Sequence, residues 1–423
     1  MNKLFFVVAG LLISLNILDS AAQAKFVANY DESKMQAYTL PDPLVFENGG
    51  KVENIKDWAK RSVELYRIFE SEVYGISPVW KGKIISSEMA SDQNALGGTA
   101  TMKEIKLTLR NGTREHSMAL LLYLPKNVKK PPIFLGYNFN GNHTVTDDPQ
   151  IALANIWARS NTGTGPVKAD ENQRGTAADN WQAKEIISKG YGLATIYYCD
   201  VDPDFDDGFK NGVHALYGQK PDNSSWGSVA AWAWGLSRAL DYLETVPEVD
   251  SKKVAVFGHS RLGKAALWAG VTDKRFAMVI SNNSGCGGAA LSKRIFGETV
   301  GRINTSFPHW FNENFNKYND KEELLPVDQH QLLALLAPRS LYVASAEEDQ
   351  WADPKGEFLS CVAASPVYVL LGKEGFPGKT MPAVNSPVTG TIGYHIRTGG
   401  HDVTLYDWQQ YLNFADKHFR TKR

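Results

Sequence analysis

The most restrictive feature of this chain is one strand-turn-helix signal. The apolar segment Lys253 to Phe257 runs into Gly258-His259-Ser260-Arg261-Leu262-Gly263, followed by a helix-forming stretch from Gly263 to Gly270. The pattern is G-x-S-x-x-G, a nucleophile elbow whose second glycine falls one place later than usual. Such a turn lifts the serine above a sheet edge, at a helix N-terminus whose dipole favours developing negative charge. A small residue near the turn lets helix and strand pack closely. A bare G-x-S arises often by chance. Between a buried strand and a helix it selects Ser260 as a nucleophile over a plain strand-helix turn.

The segments around the elbow keep the same rhythm. Glu104 to Arg110 and Ser117 to Leu124 read as strands about the turn at Asn111-Gly112, and Pro131 to Asn138 as a short apolar strand. Further strands are expected at Tyr191 to Tyr198, Phe276 to Ser281, Ser340 to Ser345 and Thr391 to Ile396. Helices are expected over Ile55 to Tyr74, closed by Gly75 and Pro78, and over Val403 to Phe419. Another, capped by Asp222 or Asn223, carries Val229, Trp232, Leu236, Leu240 and Leu243 on one face. Residues 25 to 100 otherwise look irregular. Alternating strands and helices imply an α/β-hydrolase fold: a three-layer sandwich about a mostly parallel, twisted central sheet. With no internal repeat or linker, residues 25–423 read as a single catalytic domain. The Asn-, Gly- and Thr-rich stretch from Asn140 to about Asp179 is too long for a simple connection and reads as a functional insertion near 140–180.

The N-terminus has the features of an export signal. Lys3 precedes an apolar run from Leu4 to Ile17, and Ala22-Gln23-Ala24 is a small-residue cleavage pattern. The run is short for a membrane span. Residues 1–24 are therefore read as a signal peptide rather than an uncleaved anchor, which places the mature protein outside the cytoplasm, secreted or periplasmic, with no membrane association after cleavage. Of the 423 residues, 43% are hydrophobic and 22% charged, an ordinary globular composition. The formal net charge is -1, with no long basic or acidic run, so nothing points to nucleic acid or an anionic membrane. Three cysteines, Cys199, Cys286 and Cys361, leave at least one thiol unpaired within the chain. No metal or cofactor is expected, and the oligomeric state stays open.

A serine hydroxyl needs a base and an orienting acid, in the chain order Ser, acid, His. His401 follows Gly399-Gly400, between the last strand and the last helix, where the base belongs. His395 is the rival, but inside a strand, and His259 points elsewhere by elbow geometry. The acid is expected after the strand Ser340 to Ser345, among Glu347, Glu348, Asp349 and Asp353, with Asp349 preferred. Arg261 and Lys264 put two cations beside the nucleophile, suggesting an oxygen-rich or anionic substrate. The Arg261 guanidinium can add charge to an oxyanion hole. Trp310 and Trp351 are candidates for stacking on sugar rings.

These residues carry a family resemblance. Gly258-His259-Ser260-Arg261-Leu262-Gly263-Lys264 resembles the G-x-S-R-x-G-K of glucuronoyl esterases, carbohydrate esterase family 15. Trp226-Gly227, Trp232-Ala233-Trp234-Gly235-Leu236-Ser237-Arg238, Ser284-Gly285, Gly287-Gly288-Ala289, Phe296-Gly297-Glu298 and Gly399-Gly400-His401-Asp402 extend the likeness over essentially the whole mature chain. The resemblance implies hydrolysis of esters between (4-O-methyl-)glucuronic acid on xylan and alcohols of lignin. The partner is then glucuronoxylan or a lignin–carbohydrate ester. By the same carry-over Ser260 is nucleophile, His401 base and Arg261 oxyanion donor, while Lys264, Glu298 and Trp351 match positions that bind the uronate hydroxyls. Bacterial members share a longer insertion like 140–180. Two departures stand out. Many members place the acid, a Glu, after the strand matching Phe276 to Ser281, and here that segment reads Ser281-Asn282-Asn283-Ser284. His259 stands where fungal members carry a disulfide-forming cysteine. Alternative readings are an acetyl xylan esterase of the same fold, or a catalytically weak carbohydrate-binding relative.

Overall fold

The computed structural model describes residues 26–157, 165–218 and 222–419. The leader expected at 1–24 lies outside them. Along the chain the strands are β1 (Lys83–Asn94), β2 (Ala100–Asn111), β3 (Arg114–Pro125), β4 (Ile133–Asn138), β5 (Asn155–Ile156) and β6 (Val167–Lys168). They continue as β7 (Gly192–Tyr197), β8 (Val254–His259), β9 (Met278–Asn282), β10 (Ser340–Ala346), β11 (Val388–Thr389) and β12 (Ile392–Arg397). Ten of them form one sheet in the order β1-β2-β3-β7-β4-β8-β9-β10-β12-β11. From β7 to β12 every pairing is parallel, while β1, β2, β3 and the short β11 join antiparallel at the two ends. This is the mostly parallel sheet of an α/β-hydrolase.

The three-layer arrangement follows from strands buried on both faces. Side chains alternate across a strand, and in β8 Val254 and Val256 enter one apolar cluster while Ala255 and Phe257 enter the other. Leu341 and Val343 of β10 divide from Tyr342 and Ala344 in the same way. One cluster is covered by the helices Ile55–Phe69, Ser228–Leu243, Arg261–Thr272 and Pro354–Leu370, the other by Leu405–Phe419. Among the described residues no helix is long and apolar enough to cross a membrane.

Several local expectations need correction. The helix Ser228–Leu243 starts later than a cap at Asp222 or Asn223 would give; Gly227 is its N-cap. Asp222 instead accepts hydrogen bonds from Ser224 and Ser225 and closes its own turn. The helix expected over Ile55 to Tyr74 is α-helical through Phe69 and π-helical from Glu70, ending at Gly75 with φ 89. Part of the irregular region is the full strand β1. Its residues are mostly exposed, so no apolar alternation marks it. Pro354–Leu370 is a helix despite Pro366 inside it, entered through an Asp353 cap and Pro354 in its first turn. The 140–180 segment holds two short 3-10 turns and the two-stranded pairing of β5 with β6.

Candidate active site

Parallel strands that are neighbours deliver their following loops to one edge of the sheet. Here β8, β9, β10 and β12 lie side by side. The loops after them carry Ser260, Asn283, Asp349 and His401. The topology therefore gathers residues up to 141 positions apart in sequence, the span from Ser260 to His401.

Ser260 sits between β8 and the helix Arg261–Thr272 with φ 57 and ψ -130, a conformation costing about 1–3 kcal/mol for a residue with a side chain. Its N–H donates to the Asn282 carbonyl at 2.9 Å. A side chain at Gly258 would place Cβ 1.9 Å from the Leu262 carbonyl oxygen, so the turn closes only over glycine. At Gly263 a Cβ would lie 2.9 Å from that of Ser284, which is the close packing expected one place beyond the usual position.

His401 Nδ1 donates to Asp349 Oδ2 at 2.6 Å. The Asn283 side-chain amide donates to the same oxygen at 2.7 Å. Burial alone would raise the Asp349 carboxyl, but the His401 contact and the Asn283 amide outweigh it and hold the group below its ordinary value. The other carboxylates considered are placed elsewhere. Glu348 is exposed and Glu347 half-buried. Asp353 pairs with Arg294 and caps its helix through Gly356 N–H. His395 is buried against Asp407 and Tyr342, away from the serine. His259 does not point away from the site: its ring centroid lies 4.5 Å from that of His401. Its Nδ1 bonds the Asn282 side chain, and burial, with His401 nearby, pushes its pKa down to about 3, so it is a neutral ring packed beside His401.

Both cations have carboxylate partners. Arg261 Nη1 is ion-paired with Asp204 Oδ2. Lys264 Nζ donates to the Ser284 carbonyl at 2.6 Å and lies 3.7 Å from Glu298 Oε2. Burial raises the Glu298 carboxyl, with Lys264 and the Trp351 side chain opposing it. Trp310 is stacked on Phe307 at 3.8 Å between centroids and sits under the Arg261 guanidinium at 4.7 Å, so Phe307 occupies a face that a sugar ring would need. Trp351 is half-buried, with Phe26 at its edge.

Two cavities meet at Ser260, Arg261 and His401. One, of about 310 Å³, is walled by Lys264, Glu298, Trp310, Trp351 and the Asn283-Ser284-Gly285 loop. The other, of about 330 Å³, is walled by Tyr137, Phe139, Trp181, Phe257 and His259, with Ala177 and Asn180 added near the end of the 140–180 segment.

A family model described as "Glucuronyl esterase, fungi" matches residues 151–372, over half of the chain. A curated relative from an unknown prokaryotic organism, Carbohydrate esterase MZ0003, is 52% identical over 398 residues, covering 92% of each chain. The chain belongs to the glucuronyl esterase family. A solved glucuronoyl esterase from Solibacter usitatus superposes with a TM-score of 0.87 at 49% identity, over 92% of this chain and 100% of that one. A 4-O-methyl-glucuronoyl methylesterase from Cerrena unicolor is 28% identical over 83% of this chain and 65% of its own. This family member is a carboxylic ester hydrolase. Asp204, with His309 and Tyr198 bonded to it, lies directly behind Arg261 and had no motif to announce it. Asp204 is one of several acidic residues in Asp200 to Asp207, a run that reads as solvated loop.

Proposed function

We propose that this esterase hydrolyses esters of (4-O-methyl-)glucuronic acid, as in lignin–carbohydrate linkages to glucuronoxylan, through an acyl-enzyme on Ser260. The observation that carries the reading is the buried Lys264–Glu298 pair in the wall of the cavity on one side of Ser260, where with Trp351 it offers donors and acceptors to sugar hydroxyls. The more aromatic cavity on the other side suits the departing alcohol. Because Arg261 and Lys264 are already paired, the acyl side suits a neutral ester better than the free uronate product.

In this mechanism Asp349 holds His401 with Nδ1–H turned toward it, leaving Nε2 to take the Ser260 proton. Ser260 Oγ attacks the ester carbonyl, and the oxyanion is met by backbone N–H at the helix start and by the Arg261 guanidinium. His401 passes the proton to the leaving alcohol, and water then repeats the sequence to free the uronate. Trp310 acts here as a wall and a support for Arg261 rather than as a stacking platform. Residues 25–423 would form the single catalytic domain, exported by the 1–24 signal.

The test compares benzyl and methyl glucuronates with an aryl acetate. Lys264→Ala is expected to slow the glucuronates far more than the acetate, and Ser260→Ala to abolish nearly all turnover while remaining folded. An enzyme that prefers the acetate, with Lys264→Ala harming both equally, reassigns the cavity to a sugar acting as the alcohol.

A further inference from the structure

One buried carboxylate behind the site collects four donors. Asp204 follows β7, and its side chain is 1% exposed. Oδ2 accepts from Tyr198 OH at 2.8 Å and from Arg261 Nη1, while Oδ1 accepts from Trp310 Nε1 at 2.7 Å and is paired with His309 Nε2 at 3.1 Å. Three of these partners are rings with few rotatable bonds, so they fix where the carboxylate sits. Arg261, by contrast, is a long side chain that loses about 2 kcal/mol of rotamer freedom when immobilised. Among the described residues Asp204 is its hydrogen-bonding partner, and Arg261 Nε is buried without one. Two of the four donors, Arg261 and Trp310, line the cavity beside Ser260 that holds the Lys264–Glu298 pair.

We propose that Asp204 is a positioning residue that sets the Arg261 guanidinium at the place where the oxyanion forms. This rests on the reading of Arg261 as an oxyanion donor and adds what makes that donor effective. A counter-charge weakens the field Arg261 exerts, so charge and position make opposite demands. If charge alone mattered, removing the Asp204 carboxylate would raise kcat. If position matters, the freed guanidinium wanders and kcat falls, since misplacement by about 1 Å can cost on the order of 10²-fold.

The test is a double-mutant cycle on methyl and benzyl glucuronates, with each variant's fold read from its thermal transition. Asp204→Asn is expected to lower kcat by about 10- to 100-fold with KM little changed. In an Arg261→Ala background, itself lowered by about 10²–10³, it is expected to add almost nothing. If Asp204→Asn does not fold, the same cycle is run with Asp204→Glu, which moves the carboxylate by one methylene. A kcat that stays level or rises on changing Asp204, losses that multiply in the double variant, or an effect confined to KM overturns the positioning role while leaving Arg261 as donor. An unchanged kcat in Arg261→Ala overturns the oxyanion reading itself, and the role of Asp204 with it.

Discussion

At the level of single residues, the acid is the point where this chain departs from the pattern that its family resemblance implied. The position after β9 holds Asn283, an amide that cannot stabilise an imidazolium by charge. The loop after β10 carries Asp349, whose Oδ2 accepts from both His401 and Asn283, so the proposed acid is Asp349. Asp349→Asn is therefore expected to lower kcat by about 10²–10⁴ with little change in KM, as for triad acids generally. Glu348→Gln should do much less, because Glu348 is exposed, and Asn283→Ala should be mild. Steady-state kinetics on one glucuronate ester decide it, and a crippled Glu348→Gln beside a healthy Asp349→Asn would move the acid by one residue. The contact of Asp349 with His401 was legible because carboxylate, strand end and chain order all agree there. Asp204 was not, because its importance lies in partners that include two distant segments, Arg261 and His309-Trp310, which no local pattern records.

Among the elements, the elbow was the most legible because its constraint is local. Glycine must stand at position 258 whatever surrounds it, since the colliding atom is a backbone oxygen that cannot rotate aside. Gly258→Ala is expected to destabilise the fold by about 3 kcal/mol or more, at the upper end of the cost of overpacking. Denaturant midpoints would show it, and an unchanged midpoint would mean the turn is looser than described. The strands β7 to β10 were legible for a related reason: burial on both faces makes them continuous apolar runs. β1 was not, because an exposed edge strand needs no apolar face; its residues Ser86, Ser87, Glu88 and Asp92 are those of a loop. The helix Pro354–Leu370 was hidden by Pro366 and by an apolar content spread around its circumference.

For the molecule as a whole, stability comes from two apolar layers pressed onto one sheet. Cross-links take no part. Cys199, Cys286 and Cys361 are all buried and unbridged. Burial pushes the Cys199 thiol up to about 12 and the other two well above their ordinary value, so none is poised as a thiolate to react. Thermal transitions recorded with and without a reductant are expected to coincide. A native bridge would contribute about 2–4 kcal/mol and separate the two curves visibly. The absence of bridges also frees assembly from any particular redox setting. The fold closes without any sulfur–sulfur bond, so the contacts that hold it together make no demand on the redox potential around the folding chain.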